Sequence, residues 1–219
     1  MLRQTVRTAA KRSASSTRWL DRQLNDPYVV EARRLGLRSR AAFKLMQLDD
    51  RFHFLAPGRR VVDLGAAPGG WSQVAAQRIR AGGPQGGRLV AIDILDWTPV
   101  PHTVSIVHDF LDPESPRLIR EALGGPADIV LSDMAAPATG HATTDHLRIV
   151  ALVEVAFDFA QTVLAPGGTF VAKVFQGGTE RALLDQLKRR FSTVRHAKPA
   201  ASRAESAETY VVAQGFRAD

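Results

Sequence analysis

An α/β fold is predicted: a doubly wound domain in which a seven-stranded, mostly parallel sheet carries helices on both faces. Three observations lead there. After Pro57-Gly58 short apolar runs alternate with longer helical stretches, the rhythm of strand–helix–strand units. The first of these strands runs straight into a glycine-rich turn, Gly65-Ala-Ala-Pro-Gly-Gly, and then into a helix. A chain of 219 residues with 45% hydrophobic content suits one compact domain plus a short extension.

The N-terminal stretch, residues 1–17, is basic, Ser-rich and free of acidic residues. It suits a flexible RNA-contacting tail and equally a transit peptide, so either the cytoplasm or, with import, the mitochondrial matrix is open. The domain proper is expected over 18–219. Asp26-Pro27 starts a helix, with Asp as cap and Pro at its first position. Ser39 could cap a second helix, Arg40–Asp50, with Ala41, Leu45 and Leu48 on one face. Strands are expected at Arg60–Leu64, Arg88–Ile92, Val104–Val107, Asp128–Leu131, Thr169–Val174, Thr193–His196 and Thr209–Gln214. A helix opens near Trp71, and the longest runs from about Thr144 to Leu164. The last two strands are expected as an antiparallel pair at the sheet edge.

Composition narrows the function classes. No apolar run is long enough to span a bilayer, so a soluble protein is expected, without membrane partners. With 0 Cys, disulfides and thiolate metal sites are excluded. His141 and His146 lie five apart, which does not align them on one helix face, so no metal is expected. The net charge of +7 is concentrated: residues 1–44 hold eleven Lys/Arg against three Asp/Glu. Such a segment beside a near-neutral remainder points to a polyanion partner or to a solubilising extension. No apolar stripe calls for a second copy, and a monomer is expected.

Glycines at a strand-to-helix turn permit positive φ and let a ligand approach the backbone closely. In a doubly wound, Rossmann-like sheet that turn lies at the carboxyl ends of the strands, where ligands bind. Asp63 ends the first strand, placed to bond the amino acid part of a ligand. Asp93 ends the second, where a carboxylate can accept both ribose hydroxyls. Asp109 follows the third, within reach of an adenine amino group. The loop does not match the dinucleotide pattern G-x-G-x-x-G; Pro68 removes an N–H that a diphosphate would use, and Trp71 crowds the turn. S-adenosylmethionine is therefore the expected cofactor, held around Asp63, Gly65, Gly69, Trp71, Asp93, Asp109 and Asp133.

Several runs then fall in a familiar order: Ser16-Thr-Arg-Trp-Leu-Asp-Arg-Gln, Asp26-Pro-Tyr, Arg38-Ser-Arg-Ala-Ala-Phe-Lys-Leu and Asp63-Leu-Gly-Ala-Ala-Pro-Gly-Gly-Trp-Ser-Gln. Leu131-Ser-Asp-Met-Ala, Lys173-Val-Phe-Gln-Gly and Lys198-Pro-x-x-Ser-Arg-x-x-Ser-x-Glu-x-Tyr follow. With these the sequence resembles the FtsJ/RrmJ family of RNA ribose 2′-O-methyltransferases, in its bacterial branch and mitochondrial relatives, from Ser16 to the end. The resemblance implies a class I methyltransferase that modifies a uridine in the peptidyl-transferase region of large-subunit ribosomal RNA, in the 50S subunit or its precursor. Phe43 and Leu37 stand where the family often has Tyr; neither is a charged catalytic position.

The resemblance also implies a catalytic tetrad, which maps onto Lys44, Asp133, Lys173 and Glu208, with Glu205 a competitor for the last place. A ribose hydroxyl is a poor nucleophile, whereas a sulfonium methyl is already activated. The protein must align the reactants and take a proton. A lysine can do so only if burial or a second cation disfavours its charged form. Lys173 sits in the apolar run Val171-Ala-Lys-Val-Phe, where an ammonium needs a partner or a function; Lys44 would be the second cation. Asp133 would orient Lys173, and Glu208 would hold Lys44 or the ribose. Taken singly, Lys44 reads as a surface residue, Asp133 as a turn cap and Glu208 as an edge-strand charge. Arg18, Arg22, Arg33, Arg34, Arg38 and Arg40 would form a basic approach for RNA phosphates. Trp19 and Tyr28 are either stacking platforms for a base or packing residues of the N-terminal helices.

Overall fold

The computed structural model describes residues 24–137, 139–175 and 181–218; the expected tail, 1–17, lies outside them, and so do Arg18, Trp19 and Arg22 of the expected domain. Seven strands form one sheet in the order β3-β2-β1-β4-β5-β7-β6. They are β1 (Arg60–Leu64), β2 (Arg88–Asp93), β3 (Val104–Val107), β4 (Ala127–Ser132), β5 (Leu164–Phe175), β6 (Phe191–Ala197) and β7 (Glu208–Phe216). The first five pair in parallel. The two C-terminal strands do pair antiparallel, but β7 is no edge strand: it lies between β5 and β6, antiparallel to both. Glu208 at its start therefore faces an interior position, beside Phe175 of β5.

The interior strands are continuous apolar runs because both faces are covered. One face, with Val61, Leu89, Ile129, Leu131, Val171 and Val212, packs under α2 (Ala41–Phe52) and α3 (Gly70–Arg78). The other, with Val62, Val90, Val130, Phe170 and Val211, packs under α4 (Ser115–Leu123), α5 (Ala142–Val163) and α6 (Arg181–Arg190). Helix α1 (Pro27–Arg34) precedes them; Asp26 caps it as expected, accepting from the Tyr28 N–H at 3.0 Å. Ser39 does not cap α2. Arg40 takes the N-cap position without a side-chain bond, and the Ser39 hydroxyl packs so tightly on Gly70 that a Cβ there would sit 2.3 Å from it. In α2 the buried positions are Ala42, Lys44, Leu45, Leu48 and Asp49, with Ala41 only partly covered.

The alternation of side chains along a strand has one consequence for chemistry. Lys173 lies directly opposite Tyr210 across the β5–β7 ladder, so both project from the same face. That is the face shared with Val171 and Val212, under α2 and α3.

Candidate functional site

The glycine-rich turn folds onto the end of β2. The N–H groups of Gly65 and Ala66 both donate to the Ile92 carbonyl, at 2.9 and 3.1 Å, and the Ala67 N–H donates to Asp93 Oδ2 at 2.9 Å. Asp93 Oδ1 accepts from the Leu95 N–H at 2.9 Å, and Asp109 Oδ1 from the Leu111 N–H. Each carboxylate is thus aimed by its own loop and keeps lone pairs for a ligand. Gly65 has φ +76°, and a Cβ there would lie 2.9 Å from the Met134 Cα; only glycine lets the turn pass so close to the end of β4. Gly65, Asp93, Asp109 and Asp133 line one cleft of about 380 Å3, walled by Ile92, Leu95, Leu111 and Leu152. That volume is in the range of small-molecule sites. Carboxylates at the ends of three strands and an apolar wall between them match the ribose, amine and adenine of S-adenosylmethionine. The residues present fit that cofactor.

Asp63, Gly69 and Trp71 are placed differently, outside the lining of this cleft. Asp63 is wholly buried; its Oδ2 accepts from the Ser72 hydroxyl at 2.6 Å, and its Oδ1 has no partner among the described residues. Burial pushes its carboxyl up to about 7 against the Ser72 bond, and the nearby charges of Asp133 and Asp93 add to the rise. Gly69 adopts φ +103° next to the Arg38 guanidinium. Trp71 is buried, with its indole N–H on the Ala41 carbonyl at 2.9 Å.

At the edge of the cleft the four expected catalytic residues come together. The buried Lys173 ammonium lies 3.2 Å from Asp133 Oδ1 and donates to the Asp133 carbonyl at 2.8 Å. The Tyr210 hydroxyl donates to the same Oδ1 at 2.9 Å. The Lys44 ammonium stands 5.8 Å from the centre of the Tyr210 ring and pairs with Glu208 Oε2 at 2.8 Å. One connected chain of contacts therefore runs Lys173–Asp133–Tyr210–Lys44–Glu208. Burial would raise the Glu208 carboxyl, but the charge and hydrogen bond of Lys44, with Lys173 and Arg40 behind it, hold it below its ordinary value. Burial, together with Asp133 and Glu208, pushes the Tyr210 phenol well up, so it remains a donor. A second pocket of about 330 Å3 is lined by Lys44 and Glu208 with Arg40, Arg203, Glu205 and Ser206.

A family model described as FtsJ-like methyltransferase matches residues 37–216. The chain belongs to the FtsJ-like methyltransferase family. Among its relatives, a ribosomal RNA large subunit methyltransferase E of Paramagnetospirillum magneticum is 68% identical, over 97% of this chain and 87% of that protein. One of the same name from Rhodospirillum rubrum is 62% identical, over 97% of this chain and 81% of its own length. A solved structure from Plasmodium falciparum, described as a ribosomal RNA methyltransferase, superposes with a TM-score of 0.72 at 28% identity, covering 83% of this chain and all of that one.

Several side chains of this methyltransferase depart from their expected roles. Arg38 is turned away from any RNA approach: its guanidinium donates to the carbonyls of Thr98, Pro99 and Pro68, and its backbone N–H is held by Gln73 at 2.8 Å. It staples the cofactor turn to the segment after β2. Arg38→Ala should weaken S-adenosylmethionine binding about tenfold, the order expected when charged hydrogen bonds are lost, and leave the salt dependence of RNA binding unchanged. Titration calorimetry and RNA binding at several salt concentrations check both halves. Arg40 is likewise committed, to Asp26 and the Ala201 carbonyl, whereas Arg33 and Arg34 are exposed on α1, Arg34 paired with Glu31. Tyr28 packs on Phe43, ring centres 5.3 Å apart, under the Arg40 guanidinium; this is the packing role. Tyr210 is not among the expected site residues. It stands in the Ser-x-Glu-x-Tyr frame, but only the register opposite Lys173 brings it into this chain of contacts.

Proposed function

We propose that the chain transfers a methyl group from S-adenosylmethionine to the ribose 2′-hydroxyl of a uridine in the peptidyl-transferase region of large-subunit ribosomal RNA, acting on the 50S particle or its precursor. One observation carries the reading: the buried Lys173–Asp133 pair joins the cofactor cleft to a second pocket through Tyr210, Lys44 and Glu208. The names of the relatives support large-subunit ribosomal RNA as the substrate. No helix among the described residues is long and apolar enough to cross a membrane.

When bound, the cofactor supplies an activated methyl on a cationic sulfur. The chain's own groups have three tasks. Asp93 and Asp109 bind and orient from the cleft, each already aimed by a backbone N–H. Asp133 holds the Lys173 nitrogen through its carboxylate and its backbone carbonyl, and Lys173, as the neutral amine, is the group that takes the hydroxyl proton. Lys44, tied down by Glu208, places a second positive charge near the same point, where it favours a developing oxyanion. Glu205 has no ion pair among the described residues, which favours Glu208 as the fourth member.

The test is transfer of a labelled methyl group to purified large subunits, naked ribosomal RNA, tRNA or capped RNA, with the modified ribose mapped afterwards. Label in a 2′-O-methyluridine of large-subunit RNA is expected. Binding of the cofactor without transfer to any of the four would overturn the enzyme reading, and label confined to tRNA or a cap would overturn the substrate.

A further inference from the structure

The positive charge of the described residues is gathered in one place. Residues 181–198, which make up α6, β6 and one residue more, hold six Lys/Arg against one Asp. The other described residues hold 17 Lys/Arg and 18 Asp/Glu. Several of those cations are also neutralised where they stand, Arg59 by Asp128, Arg78 by Asp49 and Asp50, and Arg117 by Glu114 and Glu121. Lys188, Arg189 and Arg195 are exposed and form no ion pair among the described residues.

The topology lines these cations up along one edge of the sheet. β6 is the outermost strand on its side, and the last turn of α6, Lys188-Arg189-Arg190, runs straight into it. The N–H of Arg217, just after β7, donates to the Arg190 carbonyl at 2.8 Å, which brings another exposed cation to the same corner. Arg195 and His196 are exposed further along the strand. Partial desolvation, and then the Lys188 ammonium, hold the His196 imidazole below its ordinary value, so helix and strand share one local field. β6 starts beside Phe216 and ends beside Tyr210. The basic edge therefore begins at the end of the sheet away from Tyr210 and runs toward it over about 20 Å, at the rise of an extended strand.

A basic last turn suits the carbonyl end of a helix, and charge on an edge strand keeps other strands off. Neither requires Arg217, nor so large a surplus of one sign across both elements. Unpaired like charges repel one another in a compact chain, and a polyanion relieves that repulsion. The surface chemistry also separates RNA from protein as the partner. None of the exposed large apolar side chains lies in 181–218, whereas the centre of a protein interface is apolar and poor in lysine.

We propose that the β6 edge, with Lys188, Arg189, Arg195 and Arg217, is a docking surface for the phosphate backbone of large-subunit RNA, separate from the segment that carries the target ribose. This rests on the reading of the chain as a ribosomal RNA methyltransferase. The surface recognises the large RNA and not the nucleotide, so its loss falls on binding and leaves the chemical step alone.

The test uses the full chain with two RNA partners: large subunits lacking the methyl group, and a short single-stranded RNA centred on the target uridine. Lys188→Gln, Arg189→Gln and Arg195→Gln are combined in one variant. For subunits, the slope of log affinity against log salt should fall by about two to three, as for three lost phosphate contacts. KM for subunits should rise at least about tenfold, with kcat within about twofold and cofactor affinity unchanged. Binding of the short RNA should stay at the parent's level, because it is too small to reach from the cleft along the edge. A second variant, Lys188→Arg with Arg189→Lys and Arg195→Lys, keeps every charge and should keep the parent's slope. A glutamine variant with the parent's slope and KM for subunits overturns the proposal. So does an equal loss on the short RNA, which would place these contacts at the cleft, or a loss of affinity with no change in slope, which would point to a protein partner. If the glutamine variant also loses cofactor binding, the charge-keeping variant decides, and a lowered slope there overturns the proposal. A parent chain that methylates no RNA sinks the functional reading instead, and the slopes for subunits still decide the surface.

Discussion

Lys173→Ala is expected to reduce methyl transfer about a thousandfold, in the range of a lost general base, while S-adenosylmethionine affinity stays close to that of the parent. The ammonium touches only one of the cleft's three carboxylates, Asp133, and neither Asp93 nor Asp109, so most of the cofactor's contacts stay in place. Lys173→Arg makes the sharper test. A guanidinium can keep the ion pair with Asp133 and the local charge, but it does not give up its proton. If Lys173 acts as the base, the arginine variant is as inactive as the alanine one. Substantial turnover by the arginine variant, read as initial rates with saturating cofactor, would reassign Lys173 to charge stabilisation. Parallel loss of cofactor affinity in the alanine variant would contradict a role confined to the proton.

Asp63→Asn is expected to stabilise the fold above neutral pH and to do so in a pH-dependent way. In the unfolded chain this carboxyl loses its proton near 3.8, in the native chain only at about 7. Between those values the native state binds more protons than the unfolded one, so its stability falls as pH rises. A displacement of that size corresponds to at most about 4 kcal/mol by pH 8. Asparagine keeps an acceptor for the Ser72 hydroxyl and cannot ionise. The advantage of the variant in urea midpoint should therefore grow from pH 5 to pH 8 and then level off. A difference that stays constant across that range would show that Asp63 is ionised in the native state at all of these pH values.

Much of the fold is legible in the chain because parallel interior strands must be apolar throughout and are bounded by turn residues. β1 and β3 fall on their expected bounds, and β2 and β4 within a residue or two at each end. β5 is longer than expected: a strand is expected over Thr169–Val174, yet it begins at Leu164 and runs to Phe175. Strand order is less legible. No local pattern tells the chain that β7 enters between β5 and β6, since that follows from which apolar faces need covering far along the sequence. Within the site, carboxylates at strand ends could be expected because the topology itself brings strand ends together. The fates of Arg38 and Arg40 could not. Counting charge treats every arginine as a surface cation, and the carbonyls that engage these two come from Pro68, Thr98, Pro99 and Ala201. Asp63 shows the opposite failure: its place at the end of β1 suggests a ligand contact, but the turn closes over it.

The insertion of β7 also sets an order of events during biosynthesis. Strands β5 and β6 emerge first and have no direct pairing with each other; both wait for a strand that is made after them. Until then Lys173 has no Tyr210 opposite it, Lys44 has no Glu208, and two sheet edges stand open. A growing chain can form the cofactor turn from β1 and β2 well before it can assemble the tetrad. On the proposed roles of these residues, catalytic competence is withheld until the last described strand is in place, and a chain broken off before Glu208 would retain much of the cleft without the means to use it.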